Sequence, residues 1–200
     1  MKYSVYAFDF DLTLADTIDV SIETYAVALS SVGVQFDGDV FHHLKQDIRA
    51  TFDEIDDGTH DYSAFLKLFE DTAVKRFSTV RLYPDVVENL IRIRSSGAKT
   101  ALVTNRARNS VDKAMEKYGG TDAFFDCVIT GDITTNFKPH PEPILKCLAL
   151  CGCEKQDFIY IGDALNDFRS ATAAGVDFAY IDRTGHVKAK GALKTLSELK

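Results

Sequence analysis

At 200 residues and 46% hydrophobic content, with a mean hydropathy of −0.09, the chain can bury a sizeable core and reads as one or two globular domains, not a disordered segment. A formal net charge of −7 and a pI near 5.2 exclude nucleic acid or an anionic membrane as the main partner, since both reward clustered Lys and Arg. The apolar N-terminal run stops at Asp9 and Asp11, too soon for a signal peptide, and no stretch reads as a transmembrane span. Four cysteines, Cys127, Cys147, Cys151 and Cys153, form no CxxC pair and have no His at zinc-like spacing. They are expected to be buried reduced thiols, the usage of a cytoplasmic protein.

In chain order, the run from Val5 to Phe8 predicts a buried strand that ends in two carboxylates, Asp9 and Asp11. Residues 15–82 carry helical patterns and no convincing strand. Ile18, Ile22, Tyr25, Ala26 and Leu29 fall on one helix face, closed by Val32-Gly33. A second pattern covers Asp39 to Arg49. A third runs from Ser63 to Phe77, where Phe65 and Phe69, with Leu66 and Leu68 nearby, read as core. Beyond residue 83, strand and helix alternate. Pro84 opens a helix over Asp85 to Ser96 with Val86, Leu90 and Ile93 at core spacing, and Gly97 stops it. There follow a strand "KTALVT", a helix Ser110 to Tyr118, a strand "FDCVIT", a helix from Pro141 to about Leu150, a strand "FIYIGD", a helix near Asp167 to Ala174 and a strand "DFAYI". This is the pattern of an α/β protein, a parallel sheet with helices on both faces. The division is 1–14 with 83–200 as the sheet domain and 15–82 as a helical insert.

Strand carboxyl ends gather on one edge of such a sheet, where ligands bind. There the sequence places Asp9 and Asp11 after the first strand, Thr104 and Asn105 after "ALV", Lys138 beyond "VIT" and Asp163 after "IYIG", with Asp167 one helical turn further. Asp9, Asp11 and Asp163 would repel one another if left empty, which implies a bound cation. Oxygen-only ligands without Cys or His favour a hard ion, Mg²⁺, which binds through a few carboxylates, waters and a phosphate. A phosphate also accounts for Lys138 as a point charge, Thr104 as a hydroxyl donor and Asn105 as an amide, all suited to phosphoryl oxygens.

In their order and separation, "DFDLT" (Asp9 to Thr13), "LVTN" (Leu102 to Asn105), "KPHPEP" (Lys138 to Pro143) and "GDALND" (Gly162 to Asp167) make the chain resemble the haloacid dehalogenase-like phosphohydrolases. The resemblance covers essentially the whole chain. It implies a Rossmann-like core with an α-helical cap over 15–82 and hydrolysis of a phosphate monoester through an aspartyl phosphate. Asp9 would be the nucleophile and Asp11 the general acid and base. Thr104 would bind phosphoryl oxygens, and Lys138 would neutralise Asp9 and the phosphoryl group. Asp163 would ligate Mg²⁺ with Asp9 and the backbone carbonyl of Asp11, and Asp167 would act through bound water or by orienting Lys138. Leu12 stands where many members have Gly, and its side chain is expected to point away harmlessly.

Subfamilies divide on single positions. Asp11 argues against dehalogenation. Ser21 occupies the position where hexose phosphate mutases carry a cap His, and Arg49 stands where phosphonate-cleaving members need a Lys. A phosphatase similar to phosphoglycolate phosphatase remains, acting on a small phosphorylated metabolite as a monomer or homodimer. Arg49 and Thr51, read as a loop between cap helices, and Arg106 are candidates for reading the substrate. His42, His43 and His140 lack ligand partners at metal spacing and read as surface or supporting residues. The rivals are a sugar phosphate mutase and a receiver-like or idle phosphate-binding regulator. A receiver module is disfavoured because its phosphorylated Asp follows a middle strand, and here that strand ends in Thr104.

Overall fold

The N-terminal apolar run forms β1 (Val5–Phe8), with all four side chains buried. In the computed structural model, which describes residues 1–36 and 48–200, β1 is the central strand of a five-stranded parallel sheet. The order is β5 (Cys127–Ile129), β4 (Lys99–Val103), β1, β6 (Phe158–Gly162), β7 (Asp177–Tyr180). Phe8 pairs with Leu102 on one side and Ile161 on the other, so the residues that follow these strands leave the sheet at one level. This is the Rossmann-like α/β architecture.

Four helices complete the unit: α4 (Val86–Ser95), α5 (Arg108–Met115), α6 (Glu142–Cys151) and α7 (Leu165–Ala174). Strand side chains alternate in direction, so Val5, Ala7, Ala101, Val103, Phe158 and Tyr160 share one face. There they pack with Ile129 against Ile144, Cys147, Leu148 and Cys151 of α6 and Ala171 and Ala174 of α7. Each large apolar side chain buried in such a layer contributes about 1.5–3 kcal/mol. Cys147 and Cys151 lie in this layer as expected, whereas Cys127 and Cys153 are only half-buried, because they sit at the rim of the cluster.

The described chain divides into two compact units, Met1–Asp16 with Arg81–Lys200, and Thr17–Val80. The second unit contains α1 (Ile18–Ser31), α2 (Ile48–Ile55) and α3 (Tyr62–Phe77). Asp61 caps α3, its carboxylate accepting from the Ser63 and Ala64 N–H groups. Aromatic rings fill the interior. Tyr25 meets Phe69 edge to face at 4.9 Å, and Phe52 lies 4.8 Å from Phe65. Phe65 and Phe69 are core residues, as the pattern predicts.

The structure corrects three sequence readings here. The buried stripe of α1 is Val20, Ser21, Thr24, Tyr25, Ala28 and Leu29, rotated from the apolar stripe because small hydroxyl residues are tolerated inside. Thr24, for instance, satisfies its hydroxyl on the Val20 carbonyl at 2.6 Å. Arg49 and Thr51 belong to helix α2, not to a loop. The span read as strandless has two short strands at its ends, β2 (Ala15–Asp16) and β3 (Arg81–Leu82), paired antiparallel. Two residues are too few to show a period, and the partner is remote in sequence. The helical pattern over Asp39 to Arg49 lies largely outside the described residues, as do His42 and His43. Among the described residues no helix is long and apolar enough to cross a membrane.

Candidate active site

Asp9 is the first residue beyond β1, and its N–H still reaches the Ile161 carbonyl at 2.9 Å, so the ladder fixes where its side chain starts. The residue is only 6% exposed. A carboxylate that is buried needs a counter-charge, and Lys138 provides it. The Lys138 ammonium donates to Asp9 Oδ1 at 2.6 Å, to Asp167 Oδ1 at 2.6 Å and to the Tyr160 hydroxyl at 2.8 Å. The Val103 carbonyl, at 3.3 Å, is a fourth and more distant acceptor for the ammonium's three N–H bonds. Tyr160 passes its own proton to the Val103 carbonyl at 2.8 Å.

Asp167 is held twice more. Its Oδ2 accepts the Ala164 N–H at 3.1 Å, and a side chain at Gly162 would press within 2.4 Å of that same oxygen. The Gly-Asp pair therefore needs its glycine for space. Carboxylate oxygens of Asp9, Asp163 and Asp167 all lie within 4.8 Å of one another. Three acids against one ammonium leave excess negative charge in an enclosed, all-oxygen site, and the cluster is able to hold a metal ion. Burial, with Asp167 and Asp11 adding repulsion, pushes the Asp9 carboxyl up to about 7 despite Lys138. Burial, then Asp167 and Asp9, drive Asp163 well above the ordinary carboxylate range. Burial opposes the charge on Lys138, yet Asp167 and Asp9 more than offset it and keep the ammonium firmly protonated.

The loop that delivers Lys138 is clamped at both ends. Asn105 Oδ1 accepts the Lys138 N–H at 2.9 Å, and Asn105 Nδ2 donates to the Lys138 carbonyl at 3.2 Å. Glu142 accepts from the Thr135 and Asn136 N–H groups at 2.8 and 2.9 Å. Lys146, then these N–H groups, pull its carboxyl down to about 2. A side chain at Gly131, two residues beyond β5, would come within 2.3 Å of the Asn105 carbonyl, so the turn that follows the strand needs a glycine there.

Thr104, 2% exposed, leaves β4 with its N–H on the Ile129 carbonyl at 2.9 Å, and its hydroxyl accepts the Arg106 N–H at 3.2 Å. Asp11 points elsewhere than the acid cluster. Arg106 grips its carboxylate in a fork, Nε at 3.0 Å from both oxygens and Nη2 at 2.9 Å from Oδ1. Directly after Asp11 the chain turns through Leu12 at φ +53°, a left-handed conformation that costs a non-glycine residue about 1–2 kcal/mol. Leu12 is buried.

Several expectations change accordingly. The Asn105 amide is committed to the Lys138 backbone, so it shapes the loop instead of presenting itself to a ligand. The Asp11 side chain faces Arg106 and is not in the metal cluster. Both Asp167 oxygens accept hydrogen bonds, Oδ1 from Lys138 and Oδ2 from the Ala164 N–H, and the same residue lies in the cluster able to hold a metal ion. Leu12 takes a left-handed backbone and its side chain is buried. Arg106, a candidate for reading the substrate, is held by Asp11. Arg49 and Thr51 lie in the other unit. Arg49 pairs with Asp53 at 2.8 Å and its guanidinium lies 4.4 Å above the Tyr62 ring, while Thr51 is buried. His140 accepts the Glu142 N–H at 3.1 Å on Nδ1, a turn-stabilising role.

A family model described as "haloacid dehalogenase-like hydrolase" matches residues 6–181. The chain belongs to this family. Pyrophosphatase PpaX of Anoxybacillus flavithermus is 33% identical over 90% of this chain and 83% of that protein. PpaX of Bacillus cereus strain AH820 is 29% identical over 92% and 85%. The fold matches CbbY from Rhodobacter sphaeroides, solved in complex with phosphate, at a TM-score of 0.84 with 19% identity, covering 98% of this chain and 96% of that one. It also matches a haloacid dehalogenase-like family hydrolase from Streptococcus pneumoniae at 0.80 with 16% identity, covering 96% and 88%. The chain is a phosphatase-type hydrolase.

Within this haloacid dehalogenase-like site, two residues escaped sequence reasoning. Tyr160 sits in the apolar run "FIYIG", and its one signal is that a buried phenol requires a hydrogen-bond partner. Arg183 donates from Nε to the Thr13 carbonyl at 3.1 Å and from Nη1 to Asp85 at 2.8 Å, bracing the back of the Asp9 turn. No motif marks it.

Proposed function

We propose that the protein hydrolyses a small phosphate monoester with Mg²⁺ through an aspartyl phosphate on Asp9. The observation that carries this reading is the buried Asp9–Lys138 pair at 2.6 Å beside Asp163 and Asp167. It supplies a nucleophile with a fixed counter-charge where an incoming phosphoryl group adds more negative charge. Asp9, Asp163 and the backbone carbonyl of Asp11 would hold the metal, which when bound supplies positive charge to the phosphoryl oxygens.

An Asp9 oxygen attacks phosphorus and the ester oxygen leaves with a proton from Asp11. Water then attacks the acyl phosphate, giving its proton back to Asp11 and restoring Asp9. Lys138 neutralises charge at Asp9 throughout, and Thr104 donates its hydroxyl to a phosphoryl oxygen. Asp11 can act as an acid only when it holds a proton, and the Arg106 fork favours its ionised form. Arg106 therefore transfers to an anionic part of the substrate as Asp11 takes up its role, which makes it a substrate-reading residue. The helical unit acts as a cap that excludes water and selects the leaving group. Cytoplasmic residence and action on a soluble metabolite are consistent with the charge and cysteine usage.

A second reading, inorganic pyrophosphate as substrate, is favoured by the 33% identical relative named for that activity and by Arg106, a cation suited to an anionic leaving phosphate. Purified protein with Mg²⁺ is expected to hydrolyse p-nitrophenyl phosphate, and Asp9→Asn to lose at least about 10³-fold. Absence of hydrolysis, or undiminished hydrolysis in Asp9→Asn, would sink the reading. Comparing pyrophosphate with sugar phosphates and phosphoglycolate in the same assay separates the two substrate classes.

A further inference from the structure

The catalytic edge leaves the cysteines unexplained. All four are free thiols, and two of them, remote in sequence, come together at the opposite edge of the sheet. Cys127 opens β5 and Cys151 closes α6, with Sγ atoms 2.9 Å apart. A disulfide bond is about 2.05 Å long, so an approach of roughly 0.9 Å joins them. Cys147 stands 3.9 Å from Cys151, one turn away on the same helix. Cys151 is buried and Cys127 half-buried, so the pair is open to a small reagent from the Cys127 side. Lys99 places its ammonium on the Cys151 carbonyl at 2.8 Å.

We propose that Cys127 and Cys151 are an oxidation site at which a hydroperoxide forms a reversible disulfide that staples the start of β5 to the end of α6. The supporting chemistry is asymmetric. Contact with Cys147, and then with Cys127 and the charge of Lys99, draws the Cys151 thiol down to about 6 against burial. Burial pushes Cys127 up to about 12. With the Cys127 sulfur 2.9 Å away and the Lys99 ammonium on its own carbonyl at 2.8 Å, Cys151 is the sulfur placed to attack as a thiolate. Its sulfur takes one peroxide oxygen as the O–O bond breaks, giving a sulfenic acid and hydroxide, and the hydroxide takes up the proton that the Cys151 thiol had released. The Cys127 sulfur then bonds to Cys151, and the sulfenic oxygen leaves as water with the Cys127 proton. Two thiols give up two electrons, and one peroxide becomes two waters. A dithiol reductant reverses the change by exchange.

The bond closes a loop of 24 residues that contains the whole Lys138 segment. Closing it restricts the unfolded chain and should raise Tm on the order of 5–10 °C. The experiment treats reduced, purified protein with hydrogen peroxide, blocks remaining thiols with N-ethylmaleimide, and reads intact mass, linked peptides and Tm. Two of the four thiols should escape blocking, the linked peptide should join Cys127 to Cys151, and Tm should rise and fall back with dithiothreitol. Cys127→Ser, at a half-buried position that tolerates change, should abolish link and shift, and Cys153→Ser should keep both. Four blockable thiols after peroxide, a link between any other pair, or a link without a Tm rise would overturn the proposal.

Discussion

The two units solve opposite problems. In the sheet unit, the charged groups at the strand ends have named partners from distant segments. Lys138 alone joins Asp9, Asp167 and Tyr160, which come from β1, α7 and β6. The helical unit is held by aromatic rings, Tyr25, Phe52, Phe65 and Phe69, and several of its ion pairs are exposed, as Arg49 is with Asp53 four residues on and Arg76 with Glu23. Electrostatic catalysis requires dipoles and charges fixed before the reaction begins, and a sheet edge can fix them. If the helical unit selects the substrate, as proposed, its side chains can change without disturbing the charges fixed at the sheet edge.

The largest expected effect tests the fixed half of that contrast. Lys138→Met leaves Asp9 and Asp167 buried without their counter-charge, a loss of about 3–5 kcal/mol and a fall in Tm on the order of 10 °C. Hydrolysis should drop at least about 10²–10³-fold. Thermal melts and initial rates measure both, and a stable, active variant would dissolve the distinction between the units.

A smaller effect comes from metal and pH together. Asp9 ionises near 7 in the folded protein and near 3.9 when unfolded. Between those values the folded state keeps a proton that the unfolded state has lost, so stability falls as pH rises through that window. A divalent cation held by the cluster of Asp9, Asp163 and Asp167 would replace that proton. At about 100 times its Kd, Mg²⁺ should add about 2.7 kcal/mol, roughly 5–10 °C in Tm, and the gain should be larger at pH 8 than at pH 5. Melting curves with MgCl₂ and with EDTA decide it. An equal gain at both pH values would show that the cation binds away from the raised carboxyls.

The smallest effect sharpens the other half. Arg49→Ala removes an exposed helical ion pair that solvent screens, so Tm should move by no more than about 2 °C. If the helical unit reads the leaving group, KM for the physiological substrate should rise while p-nitrophenyl phosphate turnover holds. An unchanged KM removes Arg49 from that role.

Much of the site could be read from the sequence because strand ends announce themselves. A parallel sheet with short connectors collects its carboxyl ends on one edge, so Asp9, Thr104, Lys138 and Asp163 could be placed together by counting strands. The alternating elements beyond residue 83 were legible for the same reason. Strands β2 and β3 were not, since two residues carry no period. The helical insert was read as helical, but its loop and inward face were misplaced, because Ser21 and Thr24 are buried beside the apolar residues, and a hydroxyl such as that of Thr24 is satisfied on the preceding turn.

The amino-acid sequence by itself determined the order of the strands and helices, the carboxylates and lysine available at the sheet edge, and the family to which the chain belongs. Only the tertiary structure decided that Asp11 faces Arg106, that Asn105 clamps the Lys138 loop, that Tyr160 lies against Lys138, and that Cys127 meets Cys151. Periodicity reports which residues turn inward along one element. Partners across elements depend on register and on the rotation of each helix, and these are settled when all the buried charges and hydroxyls must be satisfied at once.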